Sequence, residues 1–317
     1  MYKRLILICI IISFIMGSGE AYSQESQIEK KHIAIICSDS SVASIRSLKG
    51  ITQNLKNADI ELEYSEMNLK SEGPEGILTK LNLLHPDLVI TVGSPATILI
   101  KERKPELPLI FSTVLNPETS GIIDESDSNQ SITGASLDIP IDIQFQKFKM
   151  IHEDISKIGV IYTDQTEDLI EDAREVAPEL GLELVALKIS SDREVPIALD
   201  SLCRVVDGIW TTADDLIYTP QATKFMILVS LRNQKPIMGF SPSFVKSGAL
   251  MGLNYDYKDI GRRAGNLAMR YLHGKPLSEI PVASPGIIYL HINLKTANQI
   301  GIEIDQSLVD ISKEIYK

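Results

Sequence analysis

Five short apolar runs in the first half of the chain recur, in the same order, in the second half. Isoleucine, valine and leucine are frequent in these runs, and most of the runs do not alternate with polar residues, which is typical of parallel strands covered on both faces. Five pairs in order, at nearly constant spacing, indicate two copies of one structural unit. The pairs are HIAIICSDSS (from His32) with KIGVIYTDQT (from Lys157), DIELEY (from Asp59) with GLELVA (from Gly181), PDLVITVGS (from Pro86) with VDGIWTTAD (from Val206), PLIFST (from Pro108) with PIMGFS (from Pro236), and ITGASLD (from Ile132) with LMGLNYD (from Leu250).

Segments with helical periodicity separate these runs. Residues 41–55 and 166–180 place apolar side chains three or four positions apart, which predicts two amphipathic helices. Strands that alternate with helices form parallel sheets with right-handed crossovers. The sequence therefore predicts an α/β protein built from two doubly wound parallel-sheet lobes.

The chain is expected to pass between the two lobes three times, near residues 138, 254 and 284. A helical segment follows the second repeat and a further strand follows that helix, so the end of the chain supplies elements to both lobes. We predict a first lobe of residues 30–137 plus 254–283 and a second of residues 138–253 plus 284–317. A chain of 317 residues is long enough for two cores.

The first 23 residues are predicted to be a secretory signal peptide. Two basic residues precede an apolar run from Leu5 to Met16, and Ala21-Tyr22-Ser23 offers a cleavage site. The apolar run is short for a membrane span, which needs about 20 residues. Cys9 lies inside that run after Ile8, so the segment is not an obvious lipoprotein signal. We expect an exported protein of the periplasm.

The net charge excludes some classes of binding partner, and the cysteine content indicates whether a disulfide is present. The net charge of −11 argues against nucleic acid and anionic membrane surfaces as partners. Cys37 and Cys203 each end an apolar stretch in a different half. We interpret them as two free, buried thiols, with a disulfide as the alternative.

The predicted strands end in polar, hydroxyl-rich segments in both halves. Open parallel sheets bind ligands beyond the carboxyl ends of their strands, and helix N-termini there favour anions. Two such edges that face each other form a cleft able to close on a small molecule by hinge bending. The candidate ligand-binding residues are Ser38, Asp39, Ser40, Gly93, Ser94, Pro95, Ala96, Ser112 and Thr113 in the first half, and Thr163, Asp164, Thr212, Asp214 and Ser241 in the second.

Aromatic residues stand near several strand ends of the second half. Stacking on a planar ligand is one interpretation, and packing in the core or hinge is the alternative. These residues are Tyr162, Trp210, Phe240 and Tyr255.

Six segments in order resemble one family over residues 33–304. The chain is similar to the ABC-transporter substrate-binding proteins of the type I periplasmic-binding fold, in the subfamily that includes binders of tryptophan and tyrosine. The resemblance implies two lobes joined by a three-crossing hinge. The segments are PDLVITVGSPAT, LPLIFSTVLNPETSGII, ITGASLD, KIGVIYTD, FVKSGALMGLNYDYKDIGRRAG and INLKTANQIGI.

The resemblance also implies roles for particular residues. The amides of residues 93–96 would receive a carboxylate, with a plain strand-to-helix turn as the alternative. Asp214 would receive an ammonium group, with a helix cap as the alternative. Ser112 and Asn116 match cleft positions. Asp256 and Tyr257 match the return crossing, where they serve the hinge rather than the ligand, and Asn254 is a further candidate ligand-binding residue.

One departure from the family affects the expected ligand. Relatives commonly have an acidic residue where this chain has Ser241 followed by Pro242. If that acid holds an α-amino group, then Asp214, Asp39 or Asp164 must replace it here. A ligand other than an amino acid therefore stays open.

No catalytic constellation is present in the sequence. The five histidines are scattered, and metalloprotease, paired-cysteine, P-loop and nucleophile-elbow motifs are missing. We expect no catalysis, no cofactor and no metal. The predicted function is a monomeric periplasmic protein that delivers a small polar, amino-acid-like and aromatic ligand to a membrane ABC permease. The alternative is a ligand sensor that feeds a separate signalling receptor.

Overall fold

The computed structural model describes residues 30–124 and 131–317. The predicted signal peptide at residues 1–23 lies outside the described residues. Within the described ranges, no helix combines the length and the apolar character that a membrane crossing requires.

The first sheet consists of five strands that are all parallel to their neighbours. Each comes from one of the apolar runs in the first half. The strands are β1 (Lys31–Cys37), β2 (Leu62–Asn68), β3 (Leu88–Val92), β4 (Leu109–Val114) and β5 (Ile132–Ser136).

The second sheet has seven strands. The first five of these come from the apolar runs of the second half and pair in parallel, whereas the sixth is antiparallel to the fifth. The strands are β6 (Lys157–Tyr162), β7 (Glu183–Lys188), β8 (Gly208–Trp210), β9 (Ile237–Gly239), β10 (Met251–Tyr255), β11 (Ile288–Asn293) and β12 (Glu314–Tyr316).

Helices connect the strands, and the two predicted from periodicity are confirmed. The first begins after Ser41, whose hydroxyl accepts a hydrogen bond from the Ser44 amide and so caps it. The helices are α1 (Val42–Leu55), α2 (Leu69–Leu84), α3 (Ser94–Arg103), α4 (Ile141–Ile151), α5 (Glu167–Glu179), α6 (Val195–Cys203), α7 (Pro220–Arg232), α8 (Pro242–Ser247), α9 (Tyr257–Leu272), α10 (Leu294–Ile300) and α11 (Gln306–Ile311).

The strand order confirms the internal duplication. The first sheet runs β2-β1-β3-β4-β5, and the second contains the equivalent order β7-β6-β8-β9-β10, extended by β11 and β12. Both orders place the second strand at one edge and reverse direction at the first strand. Each half is therefore a doubly wound α/β unit.

The chain passes between the sheets at residues 137–140, at residue 256 and at residues 284–287. At the second passage, α9 follows β10 of the second sheet and then packs closely on α1, which belongs to the first sheet's lobe. A Cβ at Gly50 would lie 2.1 Å from the Lys258 carbonyl oxygen, and one at Gly261 would lie 1.9 Å from that of Ser47. Glycine at both positions lets the two helix backbones touch. The lobe boundaries given above stay predictions.

Carboxylates tie the second and third passages together. The buried carboxylate of Asp259 accepts hydrogen bonds from the backbone N–H groups of Gly286 (2.9 Å) and Ile287 (3.1 Å). Asp256 accepts one from the Tyr289 hydroxyl at 2.9 Å. These bonds join the second and third of the three passages to each other.

Both described cysteines are buried and unpaired, as predicted. Cys37 packs in the core around β1, and Cys203 packs in a core cluster of the second lobe. Burial raises the pKa of the Cys37 thiol to about 12, so this thiol stays protonated and unreactive at neutral pH.

Candidate functional site

A cleft of about 310 Å³ lies between the two sheets, at the carboxyl ends of their strands. This is where open α/β sheets bind ligands. The lining residues come from the exit of β4, from the first passage with α4, and from the second lobe. They are Leu115 and Asn116; Leu137, Asp138, Ile139 and Gln144; and Leu169, Trp210, Thr211, Thr212, Ala213, Met238, Gly239, Phe240, Ser241, Leu253 and Tyr255.

An aromatic cluster supports the second-lobe wall of the cleft. The ring of Phe240, which is 40% exposed, packs edge to face against Tyr218 (centroid distance 5.1 Å) and Phe244 (5.5 Å). These contacts fix the ring while leaving part of it open to a ligand. The structure therefore favours the ligand-facing interpretation of Phe240.

Trp210 instead belongs mainly to the core, since it is 1% exposed and packs against Phe145 at a centroid distance of 5.0 Å. Its Nε1–H donates to Gln144 Oε1 at 2.8 Å. That bond satisfies the indole and orients the Gln144 amide at the cleft. Tyr162 is also a core residue, with 8% exposure.

The first-lobe wall is formed by an unusual backbone segment that begins at the end of β4 and continues into the loop after it. Thr113 (φ +62°) and Asn116 (φ +46°) both adopt the left-handed conformation that side chains other than glycine disfavour. The register of β4 against β5 shifts between Ser112 and Val114, so Thr113 lies in a bulge. Bulges and left-handed residues are common where a strand end is redirected toward a functional site.

Asp138 lies opposite this segment and holds it in place. Both of its carboxylate oxygens accept the backbone N–H of Asn116, at 3.1 and 3.0 Å. Burial raises the pKa of Asp138 to about 6, and the nearby negative charge of Glu118 adds to the rise. No cation is among the described groups that shift this pKa. The cleft thus contains a carboxylate without a countercharge.

Asp138 lies at the first predicted crossing between the lobes, but it was not predicted to be a site residue. One signal was available, because an acidic residue stands at a predicted crossing, directly between a buried strand and Ile139-Pro140. Gln144 and the flanking apolar residues of this passage were missed as well. Their positions depend on how α4 approaches the cleft, which the sequence pattern does not specify.

The predicted ammonium-binding role of Asp214 is not supported by its position. Its side chain is 1% exposed, and it does not line the cleft. One oxygen accepts the N–H and hydroxyl of Thr163 (3.2 and 2.7 Å) and the hydroxyl of Thr166 (3.1 Å), while the other accepts the Leu216 N–H (3.1 Å). Asp214 therefore joins the exits of β6 and β8 within one lobe, and Thr163 is buried as its partner.

The predicted carboxylate-binding turn at residues 93–96 is largely occupied by the protein itself. The Ala96 N–H donates to the Ser38 hydroxyl at 3.0 Å, the Gly93 N–H donates to the Ser112 carbonyl at 2.8 Å, and Pro95 has no N–H. Ser94 begins α3, and the cleft described above is not lined by any residue of this turn. The plain strand-to-helix turn is the better interpretation.

Ser112 is fully buried, and its hydroxyl is 2.8 Å from the Ser47 hydroxyl. It joins β4 to α1 and does not reach the cleft. Asp39 accepts from the Ser41 N–H (2.9 Å) and the Ser44 hydroxyl (2.7 Å), which makes it part of the cap of α1. Both residues therefore form hydrogen bonds within the first lobe and do not contact the cleft.

The remaining candidates divide between the cleft and the surface. Ser40 accepts a hydrogen bond from the Asn68 side chain at the ends of β1 and β2 and does not line the cleft, and Asp164 is exposed and paired with Lys188 at 2.7 Å. Asn254 lies in β10 opposite Tyr289, between two lining residues. The predicted residues that the structure brings together at the cleft are Asn116, Thr212, Phe240 and Ser241, with Trp210 and Tyr255 of the aromatic candidates.

Two hydroxyls at the cleft have different surroundings. Ser241 accepts the Phe244 N–H at 3.3 Å and caps α8, so the serine in place of the family acid acts as a helix cap. The Thr212 hydroxyl is buried, and no partner is found for it among the described residues. It is a buried polar atom behind the surface of this wall. No group of metal-ligating side chains occurs within the described ranges.

Comparisons with known proteins agree with this architecture. The family model for "ABC transporter substrate binding protein" matches residues 30–315. A tyrosine-binding protein of Clostridioides difficile (strain R20291) is 24% identical over 249 residues, which cover 77% of this chain and 72% of that protein.

Two solved structures share the fold. The ABC domain of Streptococcus pneumoniae in complex with L-Trp is 22% identical, with a TM-score of 0.58 over 90% of this chain and 99% of that one. The ligand-free, open structure of CD0873, a substrate-binding protein with adhesive properties from Clostridium difficile, is 18% identical, with a TM-score of 0.70 and the same coverage.

The matched family consists of proteins that bind a transported small molecule and are typically extracytoplasmic, and it is not an enzyme family. Its model covers nearly all of the described residues. The chain belongs to the family of ABC transporter substrate-binding proteins.

Proposed function

We propose that this protein captures a small aromatic amino acid in the cleft between its lobes and delivers it to a membrane ABC permease. The observation that carries the proposal is the lining of the cleft, which is mainly apolar and aromatic with a few convergent polar groups. Sites of this composition bind small organic molecules, and a volume of about 300 Å³ lies at the lower end of their range. The export signal predicted at residues 1–23 would place the protein in the periplasm, where it acts as a monomer.

The polar groups are distributed in a way that suits an amino acid. Asp138 provides a carboxylate, whereas Asn116, Thr212 and Ser241 provide neutral polar side chains in the lining. Phe240 and Tyr255 provide aromatic surface for a ring. The tyrosine-binding relative and the L-Trp-bound structure support the same class of ligand.

The mechanism is closure by population shift. Three chain passages connect the lobes, and a ligand that contacts both cleft walls binds the closed form better than the open one. Binding therefore increases the closed population, and the permease recognises that form. No covalent step is required.

A thermal-shift screen of the mature protein tests the ligand class. Amino acids, nucleobases, sugars and small organic acids are each added at the same concentration. A ligand at a hundredfold excess over its dissociation constant stabilises the folded protein by about 2.7 kcal/mol. We expect the largest increases in Tm with L-tyrosine or L-tryptophan. Stabilisation by a sugar or nucleobase and by no amino acid would overturn the proposal.

An uptake measurement distinguishes a transport protein from the alternative, a ligand sensor. Cells that lack the gene for this protein should lose high-affinity uptake of the amino acid that the screen identifies. Normal uptake in those cells, with loss of a transcriptional response to the same amino acid, would instead favour a sensor that feeds a separate receptor.

A further inference from the structure

Asp138 has an incomplete set of partners for an ionised carboxylate. Its two oxygens share the backbone N–H of Asn116, and the Ser136 hydroxyl is a second hydrogen-bonding neighbour, although a carboxylate accepts about four hydrogen bonds. The other acidic candidates have their partners within their own lobe, and Asp164 forms an exposed ion pair with Lys188. Asp214 accepts four hydrogen bonds inside its lobe, and Asp39 caps a helix.

The surroundings of Asp138 favour one kind of additional partner. The side chain lines the cleft, beside the apolar neighbours Leu137 and Ile139. A buried carboxylate is stabilised most by an opposite charge that also donates hydrogen bonds. A primary ammonium group meets both requirements and is small enough to enter beside Asn116.

We propose that Asp138 receives the ammonium group of the ligand and thereby selects aromatic compounds that carry an amine. The inference rests on the proposed function, since it assigns a residue to the ligand site of that function. Relatives commonly have an acidic residue at the strand exit where this chain has Ser241. In this chain, the acidic residue that binds the ammonium group would instead lie at the first passage between the lobes. Asp138 then contacts the ligand at the hinge itself.

The proposal has a defined pH dependence. The pKa of Asp138 in the ligand-free protein is about 6. The titratable groups that face it are Glu118, whose charge raises this pKa, and Tyr255 on β10, whose pKa lies above the neutral range because of burial. An ammonium ligand binds the ionised carboxylate, so affinity should fall as the pH decreases through about 6. The expected loss approaches tenfold per pH unit below that value.

Calorimetric titrations of the wild type and Asp138→Asn provide the test. The asparagine keeps an oxygen for the Asn116 N–H while removing the charge. The matched control is Asp142→Asn, an exposed carboxylate on the first turn of α4 that does not line the cleft. The probes are L-tyrosine and L-tryptophan, tyramine and tryptamine, and the propionic acid analogues that lack the amine.

We expect Asp138→Asn to weaken binding of the amine-containing probes by at least tenfold at pH 7.5, and Asp142→Asn to have no effect. The difference should shrink at pH 5, and the amine-free analogues should bind both variants equally. Normal binding of the amino acids by Asp138→Asn would overturn this inference and leave the proposed function intact. Wild-type binding of tyramine or tryptamine without the amino acids would overturn the proposed function and keep the inference. No binding of any amine by the wild type would overturn both.

Discussion

The exits of β3 and β8 occupy equivalent places in the two sheets, yet they are built in different ways. After β3, a serine hydroxyl from the neighbouring strand accepts the Ala96 amide at the start of α3. After β8, the buried carboxylate of Asp214 collects hydroxyl and amide donors from the exit of β6. Both exits use their polar groups inside their own lobe. We therefore propose that the charged group of the ligand is recognised at the first passage between the lobes, by Asp138.

This difference explains why equivalent strand ends contribute unequally to the cleft. The exit of β8 presents Thr211, Thr212 and Ala213 to the cleft, because Asp214 holds the loop from behind. The exit of β3 contributes no lining residue to it. A shared topology thus fixes where a site lies, while local hydrogen bonding decides which residues face it.

Loss of Asp214 should have the largest effect on the second-lobe exit. Asp214→Ala leaves the Thr163 and Thr166 donors buried without an acceptor, so we expect the free energy of unfolding to fall by about 3 kcal/mol. Urea denaturation measures this change. Asp164→Ala, which removes an exposed ion pair with Lys188, should cost less than about 1 kcal/mol. Equal effects of the two substitutions would contradict a buried structural role for Asp214.

The contribution of Asp138 to the free energy of unfolding should increase as the pH falls, whereas that of most carboxylates decreases. Its pKa is about 6 in the folded protein and 3.8 in a model peptide, so the folded state binds more protons between these values. Relative to Asp138→Asn, the wild type should therefore gain roughly 2 kcal/mol of stability as the pH falls from 7 to 4. Urea denaturation of both proteins at the two pH values measures the gain. A difference that does not change with pH would exclude the burial of this charge.

The β3 exit should depend on glycine at position 93. Gly93 has a φ of +91°, and a Cβ there would lie 2.8 Å from the Ser38 hydroxyl oxygen. Gly93→Ala should cost about 2 kcal/mol, because backbone strain and this contact add. Gly301→Ala, at φ +74° with no atom within 4 Å, should cost about 1 kcal/mol. Thermal denaturation of the two variants gives the comparison, and equal values would show that the contact with Ser38 is unimportant.

The smallest expected effect concerns the exposed ring of the cleft. Phe240→Ala should weaken binding of the aromatic ligand about tenfold, or about 1.4 kcal/mol, because the ligand loses the exposed part of the ring as a stacking surface. Calorimetry measures the affinity. Ile197→Ala on α6, a 74% exposed apolar residue, is the control and should leave affinity unchanged. Unchanged affinity in Phe240→Ala would remove this ring from the site.

The repeated apolar runs were sufficient to predict the fold. Each run forms a strand, and both helices predicted from periodicity are present. A strand covered on both faces has a continuous apolar run, whereas a helix covered on one face has apolar residues three or four positions apart, so the two patterns differ in sequence. Residue roles at the strand exits were less predictable. Ser38, Ser112 and Asp214 have the residue types expected of ligand contacts, but each finds its hydrogen-bond partner within its own lobe. That choice depends on distances between segments far apart in the chain.

The position of a bound ligand tests the central claim most directly. A crystal structure of the protein with L-tyrosine or L-tryptophan should place the ammonium nitrogen about 3 Å from an Asp138 carboxylate oxygen, with the aromatic ring against Phe240. An ammonium group bound instead at the strand exits, beside Asp39 or Asp164, would contradict the assignment of polar recognition to the passage between the lobes.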